Sequence, residues 1–193
     1  VQWLEAREKR VFAGFAPHLE EVVKLVRDKA QLLGQALNLT PYNALVDGFS
    51  HGIATTDIDD IFKGLGRRLP GLIKDALEEQ AKRPALPPTG KFPPGKQRQM
   101  VTEVMKAIGF PFDRGRLDES EHPFTEGVPG DIRVTTRLDS NDVFTGLLGA
   151  LHETGHAMYD QGLPPEWRDQ PVGRDRGMAL EESQSLLLEM VIG

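Results

Sequence analysis

The chain has 193 residues, of which 39% are hydrophobic and 27% are charged, so it can bury the core of one sizeable domain. Its 29 acidic residues outnumber its 23 basic ones, and the net charge of −6 argues against a nucleic-acid-binding protein. No apolar run reaches the roughly 18 residues that a transmembrane helix needs, so we expect no membrane partner. There is no cysteine and no apolar signal segment, which excludes disulfides, thiolate metal sites and cysteine nucleophiles and favours a cytoplasmic protein.

The N-terminal part of the chain shows apolar residues at spacings of three and four, which is typical of amphipathic helices. We predict a helix over residues 1–39, in which Pro17 either introduces a kink or opens a second helix in its first turn. Residues 40–56 contain one proline and two glycines and are predicted to be a connection. Another helix is predicted from Thr56, and Pro70 is expected to interrupt it.

Residues 83–95 hold five prolines and two glycines, so they cannot form a continuous helix or a central strand. This segment is either a flexible cover or domain boundary or, as we favour, a rigid surface connection. It separates a helical region, residues 1–82, from residues 96–193. In the latter we predict a helix over 96–108, a strand over 131–138, a helix from an N-cap at 140–142 to Gln161, and a last helix from Gly177. The predicted fold is mainly α, with a small β element.

The predicted helix that ends at Gln161 contains His152-Glu153-Thr154-Gly155-His156. Residues four apart lie about 40° apart around a helix, so both imidazoles project from one side and can share a metal ion. Glu153 lies about 100° from His152, off the ligand pair but close enough to take a proton from a water at the metal. Chance gives only about 0.01 such patterns at this composition. The pattern therefore predicts a zinc peptidase rather than two unrelated surface histidines.

The same helix has a predicted core-facing side, away from the histidines, formed by Phe144, Leu147, Leu151 and Met158. It also contains Gly149 and Gly155, and each internal glycine costs a helix about 1 kcal/mol relative to alanine. We therefore expect something to approach the helix closely at these two positions.

A complete metal site needs a third ligand, and a glutamate on a second, facing helix is the usual partner of two histidines. The carboxylates that follow His156 are Asp160, Glu166, Asp169, Asp175, Glu181, Glu182 and Glu189. Glu182 fits best, because it points away from the apolar side of the last predicted helix. The spacing alone places Glu182 only slightly above Glu181.

Four motifs, in this order, resemble those of the carboxypeptidase Taq family of metallocarboxypeptidases. They are His122-Pro123-Phe124, Asp131-x-Arg133-x-Thr135, His152-Glu153-x-x-His156 and Glu182-Ser183-Gln184. The resemblance implies a zincin-like helical metallopeptidase with the β element beside the histidine helix. It implies that His152, His156 and Glu182 bind one divalent metal ion, zinc or alternatively cobalt, and that Glu153 is the general base. The chain departs from the family at Glu181, where a histidine is usual.

The resemblance places His122 and Arg133 near the cleft, and Asp131 and, on the ligand side of the histidine helix, Tyr159 are further candidates. His122 belongs to a family motif. Arg133 either binds a substrate carboxylate or, as we favour, braces the ligand helices through buried ion pairs, and Asp131 is a candidate acceptor for a ligand imidazole. Tyr159 either hydrogen-bonds near the metal or, as we favour, packs with its hydroxyl in water.

Family members are more than twice this length, and the chain lacks an initial methionine, so we expect residues 1–193 to be an internal fragment of one metallopeptidase domain. The missing N- and C-terminal parts would include two later motifs that grip the substrate's terminal carboxylate. The implied substrates are peptides, and the implied assembly of the parent is a homodimer. The alternatives are a zincin endopeptidase or aminopeptidase, and a helical scaffold fragment without activity of its own.

Overall fold

Helices dominate the structure, a computed structural model that describes residues 2–83, 88–128 and 130–192. The helices are α1 (Gln2–Lys9), α2 (Ala16–Leu37), α3 (Pro41–Asp47), α4 (Thr55–Ala81), α5 (Pro94–Ala107), α6 (Val143–Gln161) and α7 (Met178–Leu187). The strands are β1 (Gly115–Glu119), β2 (Thr125–Val128) and β3 (Asp131–Thr136). Short 3₁₀ turns lie at Phe12–Gly14, Pro165–Trp167 and Pro171–Gly173, and a π-helical turn, Leu188–Ile192, follows α7. The predicted fold class, mainly α with a small β element, is confirmed. None of the described helices is long and apolar enough to span a bilayer.

The chain divides into two compact units, Val1–Ala81 and Lys82–Gly193. In the first, α2 starts with Pro17 in its first turn, as one of the two alternatives predicted. The helix ends at Asn38, whose φ of 55° is left-handed. α2 packs on α3, and the turn between them passes close to α2 at Gly34, where a Cβ would lie 2.9 Å from the Leu39 carbonyl oxygen.

Two predictions for the first unit were wrong. Residues 40–56 are not simply a connection, because α3 begins there with Thr40 as its N-cap, whose hydroxyl accepts from the Asn43 N–H at 3.3 Å. A capping threonine followed by proline is a helix-start signal. Nor does Pro70 interrupt α4, which runs continuously from Thr55 to Ala81. A proline removes one backbone hydrogen bond, and the remaining bonds of this long helix hold it together.

The second unit is built around a three-stranded sheet in the order β1-β3-β2, with β1 parallel and β2 antiparallel to β3. α6 packs on β3, and α5 and α7 pack on α6. The core between them comes from α5, the loop that follows it, the sheet and α6. Its buried members are Val101, Met105, Phe110, Leu117, Ile132, Val134, Ala150 and Ala157.

The predicted strand over 131–138 is confirmed as β3, which ends at Thr136. The edge strands β1 and β2 were not predicted, because both are short, β1 buries only Leu117 and β2 buries none of its residues. Of the proline-rich segment 83–95, residues 84–87 lie outside the described residues. Near its end, the Phe92 N–H donates to the Ser140 carbonyl at 2.9 Å, and α5 starts at Pro94.

Candidate metal centre

The two histidines of the candidate site lie one turn apart on α6. The helix is capped by Asp142, whose carboxylate accepts from the Phe144 N–H at 2.9 Å and the Thr145 N–H at 3.4 Å. The imidazole rings of His152 and His156 have centroids 5.0 Å apart. The predicted helix and its N-cap are therefore confirmed, and α6 presents both rings to the same region.

The opposite side of α6 faces the core largely as predicted. Leu151 is buried, and Leu147 and Met158 pack against the core cluster while partly exposed. Phe144 is the exception, because it lies in the first turn of the helix and is half exposed.

The crossing of α6 and α7 depends on Gly155. A Cβ there would lie 2.5 Å from Ser185 Cα and 2.6 Å from the Gln184 carbonyl oxygen, so no other residue fits without moving a backbone. Ser185 is fully buried at this crossing, and its hydroxyl donates to the Glu182 carbonyl at 2.7 Å. The expected close approach is confirmed at Gly155. It is wrong at Gly149, where the nearest atoms to a Cβ would be at an ordinary 3.7 Å.

At this crossing, the carboxylate of Glu182 lies close to the imidazoles of both histidines. Its Oε1 lies 3.5 Å from Nε2 of His152, and its Oε2 lies 3.3 Å from Nε2 of His156. One donor atom from each of the three residues can be chosen such that all lie within 4.8 Å of one another. The structure thus brings together the three ligands implied by the family resemblance, and their role as ligands stays a prediction.

Two further carboxylates lie on the outer sides of the rings. Oε2 of Glu189 is 2.8 Å from Nδ1 of His152, and Oε1 of Glu181 is 3.3 Å from Nδ1 of His156. The second contact is not aligned as a hydrogen bond, and that Nδ1 is buried without a hydrogen-bond partner among the described residues. The sequence suggested Asp131 as an imidazole acceptor. That suggestion was wrong, because Asp131 pairs with Arg133 and the carboxylates nearest the two Nδ1 atoms belong to Glu189 and Glu181.

Glu153 is buried, with 9% of its surface exposed, beside the edge strand β2. The hydroxyl oxygen of Thr125 lies 2.7 Å from Glu153 Oε2 and 2.8 Å from the Glu153 carbonyl oxygen. Sequence reasoning missed Thr125. The available signal was its position directly after His122-Pro123-Phe124, a motif that the family resemblance already placed near the cleft.

The site is rich in carboxyl groups. Three glutamates, at positions 181, 182 and 189, face the two imidazoles, and Glu153 follows His152 in the helix. No lysine or arginine of the described residues lies within 4.0 Å of these four carboxylates. Burial raises the pKa of Glu181; nearby Asp160, Asp175 and Glu182 raise it further, whereas His156 lowers it. Burial, followed by Asp175, likewise raises the pKa of Asp160. Two imidazole nitrogens and several carboxylates without a cationic side chain form a donor set that fits a divalent cation.

The outer face of the sheet carries Asp131 and Arg133, which alternate with the residues of β3 that face α6. Arg133 Nη2 lies 2.7 Å from Asp131 Oδ2, and this pairing holds the pKa of Asp131 below its usual range. Both side chains are about half exposed. The favoured interpretation of Arg133 as a buried brace was therefore wrong, and its binding of a substrate carboxylate stays a prediction.

His122 and Tyr159 lie elsewhere in the same unit. His122 is exposed, and its carbonyl accepts from the Ser120 hydroxyl at 2.7 Å. Thr135 joins its loop to the sheet, because the Phe124 N–H donates to the Thr135 hydroxyl oxygen at 3.0 Å. The Tyr159 hydroxyl accepts from the Arg176 N–H at 3.0 Å, so it is held by the backbone rather than left in water.

Comparisons with known proteins find metallocarboxypeptidases in each case. The family model described as carboxypeptidase Taq (M32) metallopeptidase matches residues 1–193. Thermostable carboxypeptidase 1 of Thermus thermophilus is 36% identical over 201 residues, and carboxypeptidase 1 of Bacillus subtilis is 34% identical over 192. These matches cover 99% of this chain but only 39% and 38% of the relatives. The solved structure of Trypanosoma cruzi metallocarboxypeptidase 1 superimposes on the whole chain with a TM-score of 0.86 and 40% identity, and 39% of that protein is covered.

Proposed function

Because the chain belongs to the carboxypeptidase Taq (M32) family of metallopeptidases, we propose that it carries the metal centre of a zinc-dependent carboxypeptidase. The proposed reaction is release of single residues from the C-termini of peptides. The observation that carries the proposal is the convergence of His152, His156 and Glu182, with donor atoms within 4.8 Å, beside the buried carboxylate of Glu153. The chain spans 38–39% of the length of these relatives, so the activity belongs to the whole protein.

The Nε2 atoms of His152 and His156 and the carboxylate of Glu182 would hold the ion. Two imidazoles and a glutamate are a zinc ligand set found in peptidases, and cobalt is the alternative. When bound, such an ion polarises the scissile carbonyl and lowers the pKa of a coordinated water. The cytoplasmic location and the homodimer of the parent stay predictions.

Glu153 would act as the general base. Its Oε2 is held by the Thr125 hydroxyl at 2.7 Å, which leaves Oε1 as the oxygen that takes the proton of the attacking water. Glu153 would then deliver this proton to the leaving amine. Because the carboxylate is buried, few water molecules compete with that transfer.

Metal content tests the proposal. The chain, refolded with zinc and dialysed, should retain about one ion per chain by elemental analysis. His156→Ala should lose that ion, because two ligands cannot close the site. His18→Ala, which removes an exposed histidine of α2, is the matched control and should retain it. A folded chain that retains no zinc, or equal retention by the two variants, would exclude this metal centre.

A further inference from the structure

One helical segment supplies both sides of the His152 ring. Glu182 in α7 faces Nε2, and Glu189, in the following π-helical turn, lies 2.8 Å from Nδ1. On the premise of the proposed function, we infer that Glu189 is a positioning residue of the metal centre. It accepts the Nδ1–H of His152 and so selects the tautomer whose Nε2 lone pair faces Glu182.

The position of Glu189 follows from its spacing. Seven residues after Glu182, it returns to nearly the same side of a helix, about 10 Å further along the axis. α6 and α7 run antiparallel, because Glu181 reaches His156 whereas Glu189 reaches His152. The Glu189–His152 pair is partly buried, with 28% and 23% of the side chains exposed, so water competes only in part for the Nδ1–H.

The two histidines are not held alike. Nδ1 of His156 is buried, and the Glu181 oxygen 3.3 Å away is not aligned with it. His156 is also the less exposed ring, at 12%. Nδ1 of His156 therefore has no aligned acceptor among the described residues, whereas Nδ1 of His152 has one in Glu189. Variants of Glu181 and Glu189 can be compared directly for this reason.

A neutral imidazole carries its proton on either nitrogen, and only the unprotonated one binds a metal ion. Glu182 and Glu189 compete for that proton from opposite sides of His152. The shorter contact, to Glu189, keeps it on Nδ1. Outer carboxylates that orient a ligand histidine typically contribute 10–100-fold to metal affinity.

The first test measures the tautomer and needs no metal. ¹⁵N-histidine NMR of the metal-free chain, at about pH 8.5 where imidazoles are ordinarily neutral, should show His152 protonated on Nδ1. In Glu189→Leu the proton should move toward Nε2, because Glu182 becomes the remaining acceptor. Glu189→Gln keeps an acceptor oxygen and should retain the Nδ1–H form. An unchanged His152 tautomer in folded Glu189→Leu would overturn the inference.

The second test measures zinc affinity by competition with a chelator. Glu189→Leu should bind zinc roughly 10–100-fold more weakly than the wild-type chain, and Glu189→Gln should lose less. Glu166→Leu makes the same change at an exposed glutamate of a 3₁₀ turn, outside the carboxylates that face the imidazoles, and should leave affinity unchanged. Glu189→Ala repeats the test without adding apolar bulk, should the leucine variant fail to fold.

The outcomes separate this inference from the proposed function. If the wild-type chain binds zinc and folded Glu189→Leu and Glu189→Ala bind it equally well, only the positioning role is overturned. If the wild-type chain shows the Nδ1–H tautomer but binds no zinc, the proposed function is overturned, and the positioning role falls with it.

Discussion

At the scale of single residues, the roles that we propose for Glu153 and for its neighbours on α6 are separate. The imidazoles of His152 and His156 converge on Glu182, whereas Glu153 turns toward β2 and is held there by Thr125. Its nearest partner is thus a hydroxyl and not a ligand imidazole. Binding of the ion and transfer of the proton should therefore be separable by mutation.

We predict that Glu153→Gln retains zinc but loses activity in a protein that carries this chain. The amide cannot accept the proton of the attacking water, and general-base assistance typically contributes about 10²–10⁴-fold to the rate. Elemental analysis and the turnover of a peptide substrate are the two measurements. Activity within a few-fold of wild type would identify another group as the base.

A second prediction compares the neighbours Glu181 and Glu182. Glu182→Gln should weaken zinc binding by more than the roughly 10–100-fold typical of an outer partner, because an amide is a poorer donor to a dication than a carboxylate. Glu181→Gln should cost less than about tenfold, since this carboxylate faces the outer Nδ1 of His156 without an aligned hydrogen bond. Chelator competition on both variants gives the ratio. A larger loss for Glu181→Gln would reverse their assignment.

Some of these site residues could be predicted from the sequence, and others could not. The histidine pair is fixed by a spacing of four on one helix, which needs no tertiary information. Glu182 was preferred only slightly over Glu181 on spacing, because a helical wheel does not tell which helix faces which. Glu189 was among the candidate carboxylates, but its contact with His152 depends on the antiparallel crossing of two helices. Thr125 depends on an edge strand that was not predicted.

At the scale of elements, α6 was the most predictable part of the chain. Asp142 gives an N-cap, an apolar period follows, and Gly162 ends the helix. The strands β1 and β2 were not predictable in the same way, since charged residues dominate β1 and only pairing with β3 makes either one a strand. Local sequence signals therefore predict a capped amphipathic helix such as α6. They miss short edge strands, which form only because they pair with a neighbouring strand.

From the crossing of α6 and α7 we predict opposite effects on stability for alanine substitutions at Gly155 and Gly149. Gly155→Ala should lower the free energy of unfolding by about 1–2 kcal/mol, because overpacking against the α7 backbone exceeds the gain in helix propensity of about 1 kcal/mol. It should also weaken zinc binding, since α7 carries Glu182. Gly149→Ala is the control in the same helix and should raise stability by up to about 1 kcal/mol, because its Cβ would meet only ordinary contacts. Chemical denaturation measures both. Equal effects would mean that the crossing does not depend on Gly155.

At the scale of the whole molecule, the first unit shows what hydrophobic periodicity does not predict. The apolar period of α2 and α4 was predicted, and both helices formed. Yet among the described residues of that unit only Ala30, Gly34 and Ala44 are buried, and large apolar side chains such as Leu25 and Phe62 are more than half exposed. Periodicity identifies the apolar side of a helix, but it contains no information on what covers that side.

Whether a peptide is cleaved from its C-terminus or internally also depends on the whole protein. A carboxypeptidase recognises the negative charge of the peptide terminus, whereas an endopeptidase has no need of it. We predict that a protein of the relatives' full length that carries this chain releases residues one at a time from free-acid peptides and leaves C-terminally amidated peptides intact. Mass spectrometry of matched peptide pairs measures both.

This comparison decides between the proposed carboxypeptidase and the zincin endopeptidase alternative, because both use the same metal and the same base. Equal cleavage of free and amidated peptides, with internal products, would favour the endopeptidase. The 193-residue chain alone should cleave neither peptide well, because it spans only 38–39% of its relatives. Zinc retention without turnover by this chain would therefore agree with the proposal, since binding needs only residues of α6 and α7, whereas turnover also needs a grip on the peptide.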